Sequence, residues 1–274
     1  MAPCPLWLWL SNQVVLHIDE GVELAGSINP SDYNCTYATA DGNMTLTSAA
    51  LINGAYCSHM ASASGPCLVW RTLKNVTIQG GGIINGNSKD LLHSGHWAQC
   101  TAAADPFNPW NAPYCKDCTG NAQRPSLLLL MHIDGLTVKD VTLHSSAFWT
   151  LHPAFCSDVH IHDVAIFASL EWWQHTGGHG HPPAGNADGI DLTSCSNAVV
   201  ENAFIRSGDD CIGFYALDGW SGREYGSPLE NVVIRNVSCG TPMSLCWMAG
   251  GIRNVTVRVY HSVDVFLSSF RNHV

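Results

Sequence analysis

The 274-residue chain is poor in charge: Asp, Glu, Lys and Arg together make up only 12% of it, against 46% of hydrophobic residues. This balance excludes a disordered chain, because disordered chains combine many charges with few apolar residues. Lys and Arg together number only 12, which leaves a net charge of -10. Nucleic acid is excluded as a partner, since the chain has little with which to neutralise a phosphate backbone.

Long apolar runs are absent as well. No stretch of 18 or more apolar residues occurs, so the sequence predicts no transmembrane helix and no membrane insertion. The apolar segment 1–10 lacks the basic residues and the cleavage site of a signal peptide. We expect it to be a mature or clipped N-terminus.

Cysteine is abundant by contrast, with 12 residues scattered along the chain. Cys115 and Cys118 form a Cys-x-x-Cys pair, but no second pair follows at the spacing of a zinc site. The pattern therefore predicts a few disulfides in an oxidising compartment, with no metal and no cofactor. Glycosylation sequons at Asn34 and Asn43 agree with an extracellular or cell-wall location.

A short phrase recurs in which apolar residues alternate with polar ones, after an initial Asn, Asp or Gly. Its copies begin at Asn75, Gly135, Asp158, Asn197, Asn231 and Asn254. Alternation is typical of a half-buried strand, and a second short strand often follows. The copies start 60, 23, 39, 34 and 23 residues apart, which a period near 23 with insertions explains. Repeats of this length without helical periodicity indicate a solenoid of strands.

The predicted fold is therefore an all-β, single-stranded parallel β-helix. A β-sandwich is the weaker alternative, because the Asn-Gly and Asp-Gly pairs do not divide the strands into hairpins. Segments near 88–125 and 171–185 interrupt the period. We expect both to be loop insertions that wall a groove along one side of the helix.

Two segments concentrate carboxylates: residues 186–191 read NADGID and residues 207–211 read SGDDC. Asp188 precedes Asp209 and Asp210 by 21 and 22 residues, close to one coil of the period. Because neighbouring strands lie about 4.8 Å apart, these carboxylates should lie on adjacent coils. Like charges that close raise the pKa of at least one carboxyl. A protonated acid beside an ionised base is what glycosidic cleavage requires.

Two other roles are open to these carboxylates. A single Asp in such a coil is more often a turn residue that accepts hydrogen bonds from backbone N–H groups. A cluster of carboxylates also suits a calcium ion. The convergence of several Asp residues at one-coil spacing favours a carbohydrate-cleaving site over both.

These motifs resemble those of glycoside hydrolase family 28, the polygalacturonases and their relatives. Residues 186–188 are similar to the family's Asn-Thr-Asp element, and residues 208–210 match its Gly-Asp-Asp element. Residues 148–153 (FWTLHP) and 124–125 (RP) also look like family segments. The resemblance implies a right-handed β-helix that forms one domain over residues 1–274. It also implies inverting hydrolysis of α-glycosidic bonds in a pectin-type, galacturonan-like polysaccharide by a monomeric enzyme.

The resemblance implies a role for each polar residue of the two segments. Asp209 would be the general acid that protonates the glycosidic oxygen. Asp188 and Asp210 would hold and deprotonate the attacking water. Asn186 would help to position the substrate, and Asp191 would support the site.

Four further residues belong to the predicted site. His152 either lines the groove and contacts substrate or is a buried, hydrogen-bonded core histidine. Tyr215 is placed near the substrate, where many family members carry a Lys. Cys211 and Cys239 match a pair that is disulfide-bonded in family members.

Three family features that grip a uronic acid are absent from the sequence. No His follows Cys239 within residues 240–247, Tyr215 replaces a Lys, and no Arg-Ile-Lys motif follows Asn254. The last difference predicts a solenoid truncated at its C-terminal end. The differences leave two alternatives open: a related β-helix hydrolase acting on a neutral glucan, and a catalytically inactive or truncated carbohydrate-binding β-helix.

Overall fold

The structure is a computed structural model in which strands dominate. It describes residues 8–29, 32–33, 35–40, 43–48, 50–54, 57–60, 67–88, 124–170, 186–216, 227–241, 246–249 and 251–262. Within these ranges no helix is long and apolar enough to cross a membrane.

The described chain winds through seven coils, and each coil contributes strands to three faces, here called face 1, face 2 and face 3. Face 1 is a 7-stranded sheet, and faces 2 and 3 belong to one 11-stranded sheet. Coil 1 contains β1 (Leu8–Trp9), β2 (Val15–His17) and β3 (Glu23–Ala25). An antiparallel hairpin follows, formed by β4 (Cys35–Ala40) and β5 (Asn43–Ser48). Coil 2 contains β6 (Ile52–Asn53), a second hairpin of β7 (Cys57–Met60) and β8 (Cys67–Trp70), and then β9 (Leu73–Gln79) and β10 (Ile83–Asn85).

The next coils repeat this order of faces. Coil 3 contains β11 (Leu128–Met131), β12 (Ile133–Lys139) and β13 (Thr142–His144), and coil 4 contains β14 (Leu151–Ala154), β15 (Ser157–His162) and β16 (Ala165–Phe167). In coils 5 to 7 one long strand bends across faces 2 and 3. These coils are β17 (Ile190–Thr193) with β18 (Ser196–Arg206), β19 (Ile212–Tyr215) with β20 (Leu229–Gly240), and β21 (Cys246–Ala249) with β22 (Ile252–Ser262).

The bend of β18 shows how the faces are joined. Its first half pairs with β15 on face 2, and its second half pairs with β16 on face 3. Asn202 lies between the two halves in the left-handed region, with φ 52°. All pairings between coils are parallel. The architecture is the predicted right-handed parallel β-helix.

The recurring phrase begins at the corner between faces 1 and 2. Its first residues, Asn75, Gly135, Asp158, Asn197, Asn231 and Asn254, all have φ between 50° and 81°. Gly, Asn and Asp tolerate this left-handed conformation better than other residues, which explains why the repeat uses them.

The corner side chains also bond from coil to coil. The amide nitrogen of Asn197 donates to Asp158 over 3.1 Å, that of Asn231 donates to Asn197 over 3.2 Å, and that of Asn254 donates to Asn231 over 2.9 Å. A second ladder runs along the corner between faces 2 and 3. There Asn202 donates to Asp163 over 3.2 Å.

The core lies inside the coils, where apolar side chains stack in register. On face 2, Ile78, Val138, Ile161, Val200 and Ile234 occupy equivalent positions and are all fully buried. Faces 2 and 3 alternate between buried and more exposed residues. Face 1 differs, because every residue of β11, β14, β17 and β19 is buried. Its outward side chains are therefore covered, and the candidate site lies at its edge.

The predicted insertions near 88–125 and 171–185 lie almost wholly outside the described residues. The two antiparallel hairpins are insertions that the repeat analysis did not predict. A single domain over residues 1–274 stays a prediction.

Substitution of Asn202 tests the corner ladder. Asn202→Ala should lower the free energy of unfolding by about 2 kcal/mol, because it forces Ala into the left-handed region and removes the amide. Asn202→Gly should cost only about 1 kcal/mol, because Gly adopts this φ freely. Urea unfolding measures both changes. Thr256→Ala, an exposed strand residue, is the control, and equal losses for Ala and Gly would contradict the role of φ.

Candidate active site

The two acidic segments meet at the corner between face 3 and face 1. The N–H of Gly208 donates to the carbonyl of Ala187 over 2.8 Å, and the N–H of Gly189 donates to the carbonyl of Asp210 over 3.0 Å. These bonds hold coil 5 directly against coil 6. The structure thus brings Asp188 next to the Asp209–Asp210 pair on adjacent coils, at the spacing expected from the period.

Gly189 allows this close approach. A Cβ at this position would lie 2.5 Å from the carbonyl oxygen of Cys211 and 2.6 Å from the side chain of Ile205. Any larger residue would push coil 5 away from coil 6. Because Asp188 precedes this glycine directly, its place beside Asp210 depends on it.

Asp209 is held by three neighbours. The backbone N–H of Asn186 donates to its carboxylate over 2.9 Å. Its backbone carbonyl accepts hydrogen bonds from the hydroxyls of Ser207, over 2.8 Å, and of Thr241. Thr241 follows the end of β20, and no sequence motif identified it. These contacts fix both the backbone and the carboxyl of Asp209.

The protonation of Asp209 follows from its surroundings. Burial raises its pKa to about 7, and the charge of Asp210 adds to the rise. The N–H groups of Asn186 and Asp210 and the positive charge of Arg124 lower the pKa but do not offset burial. Asp209 is therefore protonated in mildly acidic solution.

The other two carboxyls of this corner are also buried, since Asp188 is only 3% exposed and Asp210 9%. Burying several carboxyls together is costly, because each charged form loses its hydration and repels the others. Turn residues at a solvated corner would not bear this cost. The burial therefore favours a chemical role for the cluster over the turn-residue alternative.

Asp191 lies within β17, on the outer side of face 1 between the core residues Ile190 and Leu192. It is fully buried and pairs in register with Gly213 of β19. A Cβ at Gly213 would collide with the Asp191 carboxylate and the Tyr215 ring. Gly213 thus makes the room that both side chains occupy.

His152 is also on the outer side of face 1 and is 1% exposed. Its Nε2 is 3.0 Å from the hydroxyl of Thr193, and Trp149 contacts its ring edge-on at 4.7 Å. Burial lowers its pKa to about 3, so the ring is neutral. This environment favours the buried, hydrogen-bonded alternative for His152 over direct contact with a solvated substrate.

A row of stacked rings crosses the outer side of face 1. Tyr215 stacks on Trp149 at 5.2 Å, and Trp149 stacks on Phe148 at 5.2 Å. The guanidinium of Arg124 lies 5.6 Å from the centre of the Phe148 ring. All three rings are buried. Sequence motifs contained Arg124, Phe148 and Trp149 but assigned them no role, because only the fold brings these residues of two coils together with Tyr215 of a third.

A disulfide joins Cys211 to Cys239, which are 28 residues apart. Cys211 directly follows Asp210, and Cys239 lies two residues before Thr241. The bond therefore ties together the two ends of coil 6 that contact Asp209. Cys156 and Cys195 are buried free thiols. The Cys115–Cys118 pair and the sequon residue Asn34 lie outside the described residues.

No group of three or more His, Cys, Asp or Glu suited to a metal ion occurs in the described part of the chain. The corner itself offers the chemistry of its carboxyls: Asp209 is protonated in mildly acidic solution and lies beside two others. A protonated carboxyl beside others is the arrangement that acid–base carbohydrate hydrolases use.

Comparison with known families agrees with this class. The sequence profile of Glycosyl hydrolases family 28 matches residues 28–257, and the chain belongs to this family.

Two relatives illustrate the similarity at the sequence level. A "Probable polygalacturonase" of Vitis vinifera is 32% identical over 139 residues, which are 48% of this chain and 26% of the relative. An "Exo-poly-alpha-D-galacturonosidase" of Dickeya chrysanthemi is 26% identical over 243 residues, which are 84% of this chain and 38% of the relative. The chain thus spans well under half the length of either relative.

Solved structures share the fold. An exopolygalacturonase from Thermotoga maritima aligns with a TM-score of 0.64 and 18% identity, over 93% of this chain and 55% of that one. A family 28 exopolygalacturonase from Yersinia enterocolitica aligns with a TM-score of 0.66 and 21% identity, over 93% of this chain and 46% of that one. At these identities the likeness concerns the β-helix alone.

The raised pKa of Asp209 makes stability depend on pH. Between about pH 4 and pH 7 the unfolded chain carries an ionised Asp209 while the folded chain keeps it protonated. The folded state therefore binds more protons, and its stability falls as pH rises through this window. Asp209→Asn removes this pH-dependent loss of stability, because the Asn side chain is neutral at every pH and can still accept the hydrogen bond from the Asn186 N–H.

Thermal unfolding should thus show Asp209→Asn gaining melting temperature over the wild type from pH 4 to pH 8. The two proteins should differ least at pH 4, where both side chains are neutral. Asp134→Asn replaces a carboxylate with 44% side-chain exposure and is the control. A difference between Asp209→Asn and wild type that is constant with pH would contradict the raised pKa.

Proposed function

We propose that this chain hydrolyses α-glycosidic bonds of a pectin-type polysaccharide resembling galacturonan, with inversion at the anomeric carbon. The observation that carries the proposal is the buried Asp209 carboxyl. Its pKa of about 7 keeps a proton available in mildly acidic solution. Asp210 follows it directly in the chain, and Asp188 lies on the adjacent coil.

In the proposed reaction Asp209 donates its proton to the glycosidic oxygen while the bond from that oxygen to the anomeric carbon breaks. A water molecule held by Asp188 and Asp210 attacks the anomeric carbon from the opposite side. One of these two carboxylates takes the proton that the water loses. Water adds across the bond, and the new hydroxyl has the inverted configuration.

The remaining predicted residues take positioning roles in this proposal. Asn186 orients Asp209 through its backbone N–H, and we assign its side chain to positioning the substrate. Asp191, His152 and Tyr215 are buried beneath the corner. We therefore propose that these three residues support the site by packing against the residues that contact the substrate.

The family supports the choice of substrate, because the names of the Vitis vinifera and Dickeya chrysanthemi relatives refer to galacturonan cleavage. Activity on a neutral glucan is less well supported, since the names of these relatives refer to galacturonan. A purely binding role is less well supported, since the acid–base carboxyls are complete. An extracellular or cell-wall location and a monomeric state belong to the same proposal.

The direct test is release of reducing ends from polygalacturonate. Asp209→Asn and Asp188→Asn should each lower the rate about 100- to 10,000-fold, because each removes a proton-transfer group. Asp134→Asn, on the outer surface of face 2, is the matched control and should retain the wild-type rate. Proton NMR of the first product should show the inverted anomer. Release of the retained anomer would exclude inversion, and wild-type inactivity on the polymer would reject the hydrolase.

The pH dependence gives a second test of the acid. Because only protonated Asp209 can donate, kcat/KM should fall tenfold per pH unit on the alkaline side of about pH 7. A rate that stays level up to pH 9 would show that another group supplies the proton. The measurement uses initial rates on polygalacturonate in buffers of constant ionic strength, because salt screens the charges that set this pKa.

A further inference from the structure

Two rings on the outer side of face 1 contact each other across an intervening coil. Trp149 lies at the start of coil 4 and Tyr215 at the end of the first strand of coil 6, yet their ring centres are only 5.2 Å apart. Two coils correspond to a backbone separation of about 10 Å, so the two side chains meet over coil 5. This pair of rings is called the aromatic clasp below. It crosses the coil that carries Asp188.

The clasp packs against coil 5 itself. A Cβ built at Gly213 would lie 2.3 Å from the Asp191 carboxylate and 2.4 Å from the Tyr215 ring, so this ring lies close to Asp191 of coil 5. Asp191 is fully buried although it is on the outer side of the sheet. It follows Asp188 by three residues on the same coil, so the clasp covers the strand that begins at the aspartate corner.

The backbone of Trp149 is anchored and is linked directly to the acidic segment of coil 5. Its carbonyl accepts hydrogen bonds from the N–H of Leu127 over 3.0 Å and from the hydroxyl of Ser146 over 3.2 Å. The next residue, Thr150, donates its N–H to the carbonyl of Asp188 over 3.0 Å. The ring that closes the clasp therefore stands one residue from a hydrogen bond to Asp188.

The distance between coils 5 and 6 matters most at the aspartates. Ile190 pairs in register with Ile212, so Asp188 and Asp210, each two residues earlier, occupy equivalent positions on the two coils. Like charges at the spacing of adjacent strands repel each other. Contacts outside the pair must therefore hold the two coils together.

We propose that Trp149 is a positioning residue for Asp188: by closing on Tyr215 over coil 5, it fixes coil 5 against coil 6. This inference rests on the proposed hydrolase function and deepens it. In that reaction Asp188 and Asp210 hold the attacking water between them. A misplacement of reacting groups by about 1 Å can cost about 100-fold in rate, so the clasp acts on the chemical step without touching the substrate.

The first experiment measures kcat and KM on polygalacturonate. Trp149→Leu removes the ring and should lower kcat about 10- to 100-fold while KM changes less than about threefold, because positioning of the water is lost and substrate binding is kept. Trp149→Phe keeps a ring that can stack and should stay within about threefold of wild type. Phe155→Leu is the matched control, because Phe155 follows the other end of β14 and stacks on His132 at 4.9 Å. An equal fall of kcat in Phe155→Leu, or a change confined to KM in Trp149→Leu, would overturn the inference.

A double variant tests whether the two rings act as a pair. Tyr215→Leu should lower kcat by about as much as Trp149→Leu. Combining both substitutions should cost less than about threefold more than either alone, because the clasp is lost once one ring is gone. Losses that multiply would show that the rings act separately and would contradict the clasp. Tyr215→Leu also replaces Trp149→Leu in every comparison if the latter does not fold.

Amide hydrogen exchange separates this inference from the proposed function, because it needs no activity. The N–H groups of Gly189 and Gly208 donate across coils 5 and 6, whereas that of Thr142 donates to Gly82 between coils 3 and 2. In Trp149→Leu the two glycine amides should exchange at least about tenfold faster relative to the Thr142 amide, because the corner opens locally. Equal acceleration of all three, or unchanged exchange, overturns the inference. If the wild type cleaves no polymer, the hydrolase proposal fails, and the exchange comparison still decides whether the clasp holds the coils together.

Discussion

The register between coils is the constraint on which the rest of the molecule depends. Parallel strands can stack in long columns only if each coil turns at the same place, and turning that sharply requires left-handed backbone at the corners. Asn197 and Asn231 meet this need and bond to the neighbouring coil at once. A slip by one residue would turn every inward side chain outward. The corner ladders therefore protect both the core and the alignment of the aspartates.

The same register brings three carboxyls together at one corner of the β-helix. Asp188 and the Asp209–Asp210 pair are far apart in sequence, but stacking places them on adjacent coils, and Gly189 lets these coils approach closely. Burial then sets the proton affinity of Asp209, with its carboxylate neighbour adding to it. A stable solenoid can bear such an unfavourable cluster, because stacked apolar residues along its length supply the stabilisation.

Face 1 is buried on both sides, and this explains why several of its polar and aromatic residues are not exposed to solvent. His152, Asp191 and Tyr215 lie on the outer side of face 1 and are nevertheless buried. They therefore pack near the aspartate corner without facing solvent. The row from Tyr215 through Trp149 and Phe148 ends at Arg124.

The sequence by itself determined the β-helix, because alternation and left-handed corner residues are local properties that recur with the period. It also determined that Asp188, Asp209 and Asp210 would share a corner, since one coil separates them. Only the tertiary structure decided which groups surround them. The hydroxyl of Thr241, the covering of His152 and the stacking of Arg124 on Phe148 join residues that are more than 20 residues apart in the chain. Side-chain direction and burial set these contacts, and neither follows from spacing along the chain.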